Sequence, residues 1–371
     1  MKIFVKSIVF ATVAISAVAL TGCSKKSEEV VVPDEKLVEI LPAAGSSTGV
    51  ITTSSAAASR AVIDAGHDQD LQVAFARIDQ KSETDATYPA YSDAVGSDVR
   101  LLSATWEKVL ATADADATKI IFDAPQYYLT RTVNNNTKLV GWYPHVEGVN
   151  TFTNSFSAGV VSIAVDGAND IMLTQELAGN KNDADKFGAA GKIFNFKHLL
   201  SLLKFSVYAK DDAAKAVYGK LVGITLKNQL ATCAITLPGD QASDIAFTFA
   251  AAPDPVDMAM VQKKADKTDA AITFPLELGV ATVDASDNVT AKNETECGYA
   301  LIAPVAAGGA VAIDIETEVG GKKTNVSLTV PAAGFEAGKA YNVTLCFTAS
   351  GIEPTATITE WVDGGNVDLV L

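Results

Sequence analysis

The sequence is poor in the residues on which most chemistry depends. Its 371 residues include only four cysteines and three histidines. Cys23 aside, Cys233, Cys297 and Cys346 are odd in number and show no CxxC spacing, which excludes a dense disulfide framework. Buried free thiols are expected, with one pair among the three left open. His67, His145 and His198 lie far apart, so a His-based metal site has little to start from. There is no GxSxG and no HExxH, and no cysteine set stands close to a histidine. GAAGK at 188–192 lacks the GxxxxGK[ST] spacing of a phosphate loop and reads as a loop cluster. Asp114 and Asp116 supply too few oxygens for a calcium loop. No catalytic residue, cofactor or metal is therefore assigned, and the chain reads as a non-enzyme. Basic residues are also scarce: 29 Lys and Arg stand against 44 Asp and Glu, for a formal charge of −15. Such a surface repels phosphate backbones, so nucleic acid is excluded as a partner.

What the sequence does have begins at its N-terminus. Lys2 and Lys6 precede an apolar run from Ile8 to Leu20, shorter than the ~20 residues of a bilayer-spanning helix, which predicts a secretory signal over residues 1–23. The signal ends in Leu20-Thr21-Gly22-Cys23, which resembles a bacterial lipobox with Cys23 as the lipid acceptor. A lipid there anchors a protein to a membrane surface without spanning it. Residues 24–60, opening on the charged and proline-broken SKKSEEVVVPDEK, read as a tether.

After the tether the apolar pattern has period two, the signature of half-buried strands. Leu71, Val73 and Phe75 alternate with Gln72, Ala74 and Ala76. The pattern returns in Leu203, Phe205 and Val207, in Val222, Ile224 and Leu226, in Val311, Ile313 and Ile315, in Val326, Leu328 and Val330, and in Tyr341, Val343, Leu345 and Phe347. Short strands between turn-rich pieces predict antiparallel sheets packed as β-sandwiches. Helical signals are few: Leu101, Leu102, Trp106, Val109 and Leu110 sit near helical spacing, and IFNFKHLLSLLKF admits a helical turn before a strand. At roughly 150 residues per domain the chain allows two. The Gly- and Asp-rich segment 177–192 is the boundary candidate, giving domains at 61–185 and 186–371.

Several segments resemble the fimbrillin family, the major fimbrial subunit lipoproteins of type V pili. SRAVIDAGHDQDLQVAFARID is similar to the family's start after processing, and GWYPH at 141–145 to its Tyr-Pro strand end. The most specific match is DGANDIML at 166–173 followed by FNFKHLLSLLKFSV at 194–207. GFEAGKAYNVTLCF at 334–347, leading into TATITEWVDGG, is the last. Read without the family, Phe194, Phe196, Leu199, Leu200, Leu202 and Leu203 form an apolar knot, His198 within it reads as a satisfied core histidine, and Trp361 as a packing anchor.

The resemblance implies two transthyretin-like β-sandwich domains in tandem and export as a lipoprotein to the outer membrane and cell surface. It further implies cleavage by a trypsin-like protease after a basic residue and incorporation into a fimbrium supporting adhesion. Arg60, alone among small residues before Ala61, matches the processing position, because exposed small-residue loops are where nicking concentrates. Arg77 is the competing site, expected to be protected inside a strand. Before cleavage a strand from residues 30–53, with Leu37–Leu41 and Gly49–Thr53 as candidates, fills a groove for which Leu71, Val73 and Phe75 are lining candidates. Removing that strand leaves an open template for another chain. The tail GGNVDLVL suits the donor role, with Val367, Leu369 and Leu371 on one face, although it also reads as the closing strand of its own domain. Expected partners are copies of the chain and other pilus subunits, the protease, host or bacterial surface ligands, and the membrane only through the lipid on Cys23. Within the family a tip or anchor subunit is the alternative. Outside it, the alternative is a glycan-binding surface lipoprotein, with Trp106, Trp142 and Trp361 as candidate sugar platforms.

Overall fold

The computed structural model describes residues 37–46, 70–82, 85, 87–107, 118–129, 137–145, 156–238, 245–251, 254–263, 269–319 and 323–359. Its first half contains ten strands: β1 (Ala43–Ser46), β2 (Leu71–Asp79), β3 (Val99–Trp106), β4 (Thr118–Phe122), β5 (Thr137–Tyr143), β6 (Phe156–Ser157), β7 (Val160–Ala164), β8 (Met172–Leu173), β9 (Leu177–Gly179) and β10 (Phe194–His198). Eight of them form one sheet in the order β2-β3-β4-β1-β10-β8-β5-β9, and a further β2–β5 pairing closes it into a barrel. The barrel interior is an apolar cluster containing Ile40, Ala44, Leu71, Val73, Phe75, Ala104, Trp106, Ile120, Phe194 and Phe196. Phe75 sits at its centre, meeting Phe122, Phe194 and Phe196 edge-on at 5.7, 5.2 and 6.3 Å between ring centroids.

The opposite face of the same strands is also covered. Ala74, Ala76 and Ile78 of β2 and Val140 and Trp142 of β5 belong to a second cluster that runs on through the C-terminal half. β7 presents Val161 and Ile163 to this cluster and pairs with Thr232–Thr236, which pairs in turn with Ala246–Ala250. Small residues on the outward face of β2 let this second layer approach closely, and large ones on the inward face fill the barrel. Where Phe75 crosses β5 its ring leaves no room for a side chain: a Cβ on Gly141 would lie 2.5 Å from Phe75 Cε1. Gly141→Ala is expected to lower unfolding stability by about 1–3 kcal/mol through overpacking, measured by urea denaturation.

In the C-terminal half, Ser201–Ala209 is the central strand of a sheet that includes Thr295–Ile302, Ala340–Thr348 and Gly351–Thr359. Leu221–Gln229, Ala310–Thr317 and Lys323–Thr329 lie in a facing sheet. Apolar residues of both sheets, Phe205 and Val343 from one, Ile224 and Ile313 from the other, share the large cluster, which makes a β-sandwich. Phe335 and Tyr341 stack edge-on at 4.7 Å, and the Tyr341 hydroxyl donates to the Gly334 carbonyl and accepts from the Glu336 amide. The GFEAGKAY motif is thus a folded corner feeding the Ala340–Thr348 strand.

The predicted β architecture is present, with three corrections. The sheets are mixed, not purely antiparallel: β1 runs parallel to β10, and Ser201–Ala209 runs parallel to Ala340–Thr348. Of the residues at helical spacing, Leu101, Leu102 and Trp106 belong to strand β3, whose two faces meet two different apolar clusters and so carry adjacent apolar residues, while Val109 and Leu110 lie outside the described residues. No helical turn opens FNFKHLLSLLKF, which forms β10 and the following strand. One short helix the alternation did not signal, Asp212–Tyr218, is capped by the Asp211 carboxylate accepting from the Ala214 amide and ends at Gly219 in the left-handed region. β10 also carries the first sheet's pairing past residue 186, since it joins β1 and β8.

Candidate functional site

The stretch from Leu37 to Ser46 lies along the barrel wall. The Tyr128 amide donates to the Val38 carbonyl at 2.9 Å and the Ile40 amide to the Gln126 carbonyl at 2.7 Å. The Ile120 amide then donates to the Pro42 carbonyl at 2.9 Å, and β1 enters the sheet with Ala44 opposite Thr118 on β4 and Phe194 on β10. Side chains alternate as a wall strand requires. Ile40, Pro42 and Ala44 are buried, while Leu37 and Leu41 are 56% and 61% exposed. Ile40 and Ala44 share the interior cluster with Leu71, Val73 and Phe75, the three residues singled out in the sequence as groove-lining. Gly188, at φ +92, allows close approach beside this strand: a Cβ there would lie 3.2 Å from the Leu41 carbonyl oxygen.

Of the two candidate segments, the structure places 37–41 at the barrel and extends the contact to Ser46. Gly49–Thr53 lies outside the described residues, as do Cys23, Arg60, Ala61, Asp114, Asp116, Trp361, Val367, Leu369 and Leu371. The alternation of Val38, Ile40, Pro42 and Ala44 carries the register of this strand; Leu37–Leu41 marks only its first part, because a proline and an alanine are weak strand signals.

Arg77 lies inside strand β2, as the alternation predicts. It is 1% exposed. Its guanidinium donates to Asp79 through Nε and Nη2 at 3.0–3.2 Å, to the Tyr127 carbonyl at 2.8 Å and to Gln126 Oε1 at 3.3 Å. Thr137 donates to Asp79 at 2.5 Å, and Arg100 pairs with the same carboxylate. Burial pulls the Arg77 pKa down to about 10, still far above neutrality, so the group stays cationic. Packed this way, the Arg77–Ile78 bond is out of a protease's reach.

The matched motifs also meet in space. Asp170 of DGANDIML, two residues before β8, holds His198 of β10 at 2.7 Å (Oδ2 to Nδ1), and β8 and β10 pair, with His198 opposite Met172. Both side chains are buried, so His198 is a partnered core histidine. Asp170→Ala removes the buried carboxylate that meets the His198 Nδ1 and is expected to cost about 1–3 kcal/mol in a denaturant titration. GAAGK is a turn closed by Gly188 and Lys192 backbone bonds, and the Lys192 ammonium donates to the Ala178 carbonyl at 2.7 Å. Cys233, Cys297 and Cys346 are free thiols, the first two raised to about 12 by burial. Among the described residues no group of three His, Cys, Asp or Glu is placed to hold a metal. Trp106 and Trp142 are buried, stacked on Phe196 and Phe156 at 4.7 and 6.5 Å, and present no sugar platform.

A closed barrel with a wall strand supplied from ahead of β2, packed on a second β layer, defines a mainly β, multi-sheet protein. The chain belongs to the fimbrillin-like family, whose sequence model matches residues 105–361. In structure it is similar to a proposed cell adhesion protein from Bacteroides uniformis, at 13% identity over 89% of this chain and 99% of that one, with a TM-score of 0.48. It is also similar to a fimbrial assembly protein from Parabacteroides distasonis, at 8% identity over 87% and 99% of the two chains, with a TM-score of 0.41. A third is the tip fimbrial protein Mfa3 from Porphyromonas gingivalis with C-terminal truncation, at 11% identity over 88% and 100%, with a TM-score of 0.36. No curated protein matches the chain in sequence.

Proposed function

We propose that this chain is a structural subunit of a type V-like pilus, exported as a lipoprotein through Cys23, cut after Arg60 by a trypsin-like protease and polymerised by strand exchange in support of adhesion. One observation carries the reading beyond family membership: residues 37–46, which precede Arg60, form a wall of the barrel and bury Ile40 and Ala44 against Leu71, Val73 and Phe75. A cut after Arg60 turns that wall into a detachable strand. Its loss exposes apolar side chains and unpaired backbone on β4, β10 and residues 126–128, an edge that another chain can complete. The tail residues Val367, Leu369 and Leu371 are the proposed donor. The two domains are read as transthyretin-like and in tandem, 61–185 and 186–371, with β10 pairing into the first and β7 into the second.

The experiment is N-terminal sequencing of the protein recovered from the cell surface. Chains beginning at Ala61 are expected of a shaft or tip subunit, while intact lipidated chains indicate an anchor and overturn the shaft assignment. Limited trypsin treatment of the folded precursor is expected to release Ala61 as a new N-terminus long before any cut at Arg77. Equal cutting at the two arginines contradicts the burial argument. The glycan-binding alternative loses two of its three tryptophans to the core.

A further inference from the structure

We infer that Arg77 is a positioning residue for the acceptor groove, holding the backbone of residues 126–128 in strand geometry whether or not a strand lies against it. The inference rests on the strand-exchange reading above. In an extended chain, successive peptide groups point to opposite sides. Gln126 and Tyr128 turn their carbonyl and amide toward the inserted segment, where Ile40 and Val38 meet them, and Glu39 bridges Tyr127. The Tyr127 carbonyl therefore points the other way, and there the Arg77 guanidinium takes it. On that side Arg77 does the work of a neighbouring strand.

The arrangement has a consequence for exchange. When residues 37–46 leave, the rim loses both ladder bonds at once, while the Arg77 contacts to the Tyr127 carbonyl and the Gln126 side chain are independent of the departing strand. The guanidinium is itself fixed, because it rises from the barrel strand β2 and grips Asp79, which Thr137 and Arg100 also hold. A bond from a buried, ionised donor is among the stronger ones available. Only an arginine fork reaches the carboxylate and the carbonyl together, so a lysine keeps the charge and loses the geometry. Tyr128 secures the far end of the rim separately, its hydroxyl accepting from the Phe187 amide at 2.7 Å. An emptied groove thus keeps its hydrogen-bonding edge in register for the next strand.

The test uses the full chain and two variants, Arg77→Gln and Arg77→Lys; the second retains a cation for Asp79 if the first folds poorly. In the uncut proteins, hydrogen exchange is read at the Ile40 and Tyr128 amides, at amides along β2 and β3, and in Ser201–Ala209. Both rim amides are expected to exchange about tenfold faster in the variants, the size of one lost hydrogen bond, with the others unchanged. After limited trypsin cleavage at Arg60, the variants are expected to release the cut segment faster and to take up a synthetic peptide of residues 36–47 about tenfold more weakly than the cut wild type. Unchanged rim exchange, or an equal loss across β2 and β3, overturns the positioning role and leaves strand exchange standing. A cut wild type that neither releases residues 37–46 nor takes up the peptide overturns strand exchange itself, and the role of Arg77 falls with it.

Discussion

Deleting Asn366 to Leu371 is expected to give a protein that folds, is cut after Arg60 and stays monomeric. Under the proposed mechanism the groove and the donor are separate parts of the chain, so removing the donor leaves the groove intact. Three apolar side chains entering the barrel contribute roughly 1.5–3 kcal/mol each before ordering costs, and backbone pairing adds to them, which is enough to hold subunits together. The wild type, after limited trypsin treatment, is expected to form ladders of oligomers that resist mild detergent. Arg60→Ala is expected to form none, because its own strand stays in place. Leu369→Asp is expected to behave as the deletion does, since an unpaired carboxylate in an apolar groove costs several kcal/mol. Ladders from the truncated protein would place the donor elsewhere. Unfolding of the truncated protein would instead assign the tail to its own domain.

The second large effect is expected at Ile40. Its side chain is almost wholly buried in the barrel cluster, and the backbone on either side is pinned by the Gln126 and Tyr128 ladder bonds. Ile40→Asp forfeits about 1.5–3 kcal/mol of apolar burial and adds the cost of a carboxylate in that site. The inserted segment is then a weak competitor for its own groove. Combined with Arg60→Ala, Ile40→Asp is expected to let oligomers form without any cut, with protection of the Tyr128 amide lost. Leu41→Asp, one residue along and facing solvent, is the control and is expected to change neither. If the Ile40→Asp, Arg60→Ala protein remains a monomer with an unchanged denaturation midpoint, the strand contributes nothing to closing the barrel.

The proposed choice of Arg60 over Arg77 rests on the burial of Arg77. Arg60 stands among small residues in the sequence, whereas Arg77 lies in strand β2 with its guanidinium on Asp79 and the Tyr127 carbonyl. Its burial was inferred from the alternating strand around it. The reason it is tolerated there, a ring of acceptors from three separate chain segments, appears only in the fold.

What the sequence determined by itself was local. Period-two alternation located the strands at 71–79, 201–209, 221–229, 310–317, 323–329 and 340–348, because a side chain's choice between core and solvent is made residue by residue along one strand. The family motifs were legible for the same reason: DGANDIML and FNFKHLLS each carry half of a buried Asp170–His198 pair, although nothing in either half says that they touch. The tertiary structure decided the partners. Closure of the first sheet through β2 and β5, the parallel pairing of β1 with β10, and the choice of residues 37–46 as the wall strand all depend on segments more than fifty residues apart finding one interior. Within that interior Ala44 suits a position between β4 and β10 beside the Phe194 ring, where hydrophobicity alone favours a larger residue. Periodicity records which face of a strand is covered; only packing decides what covers it.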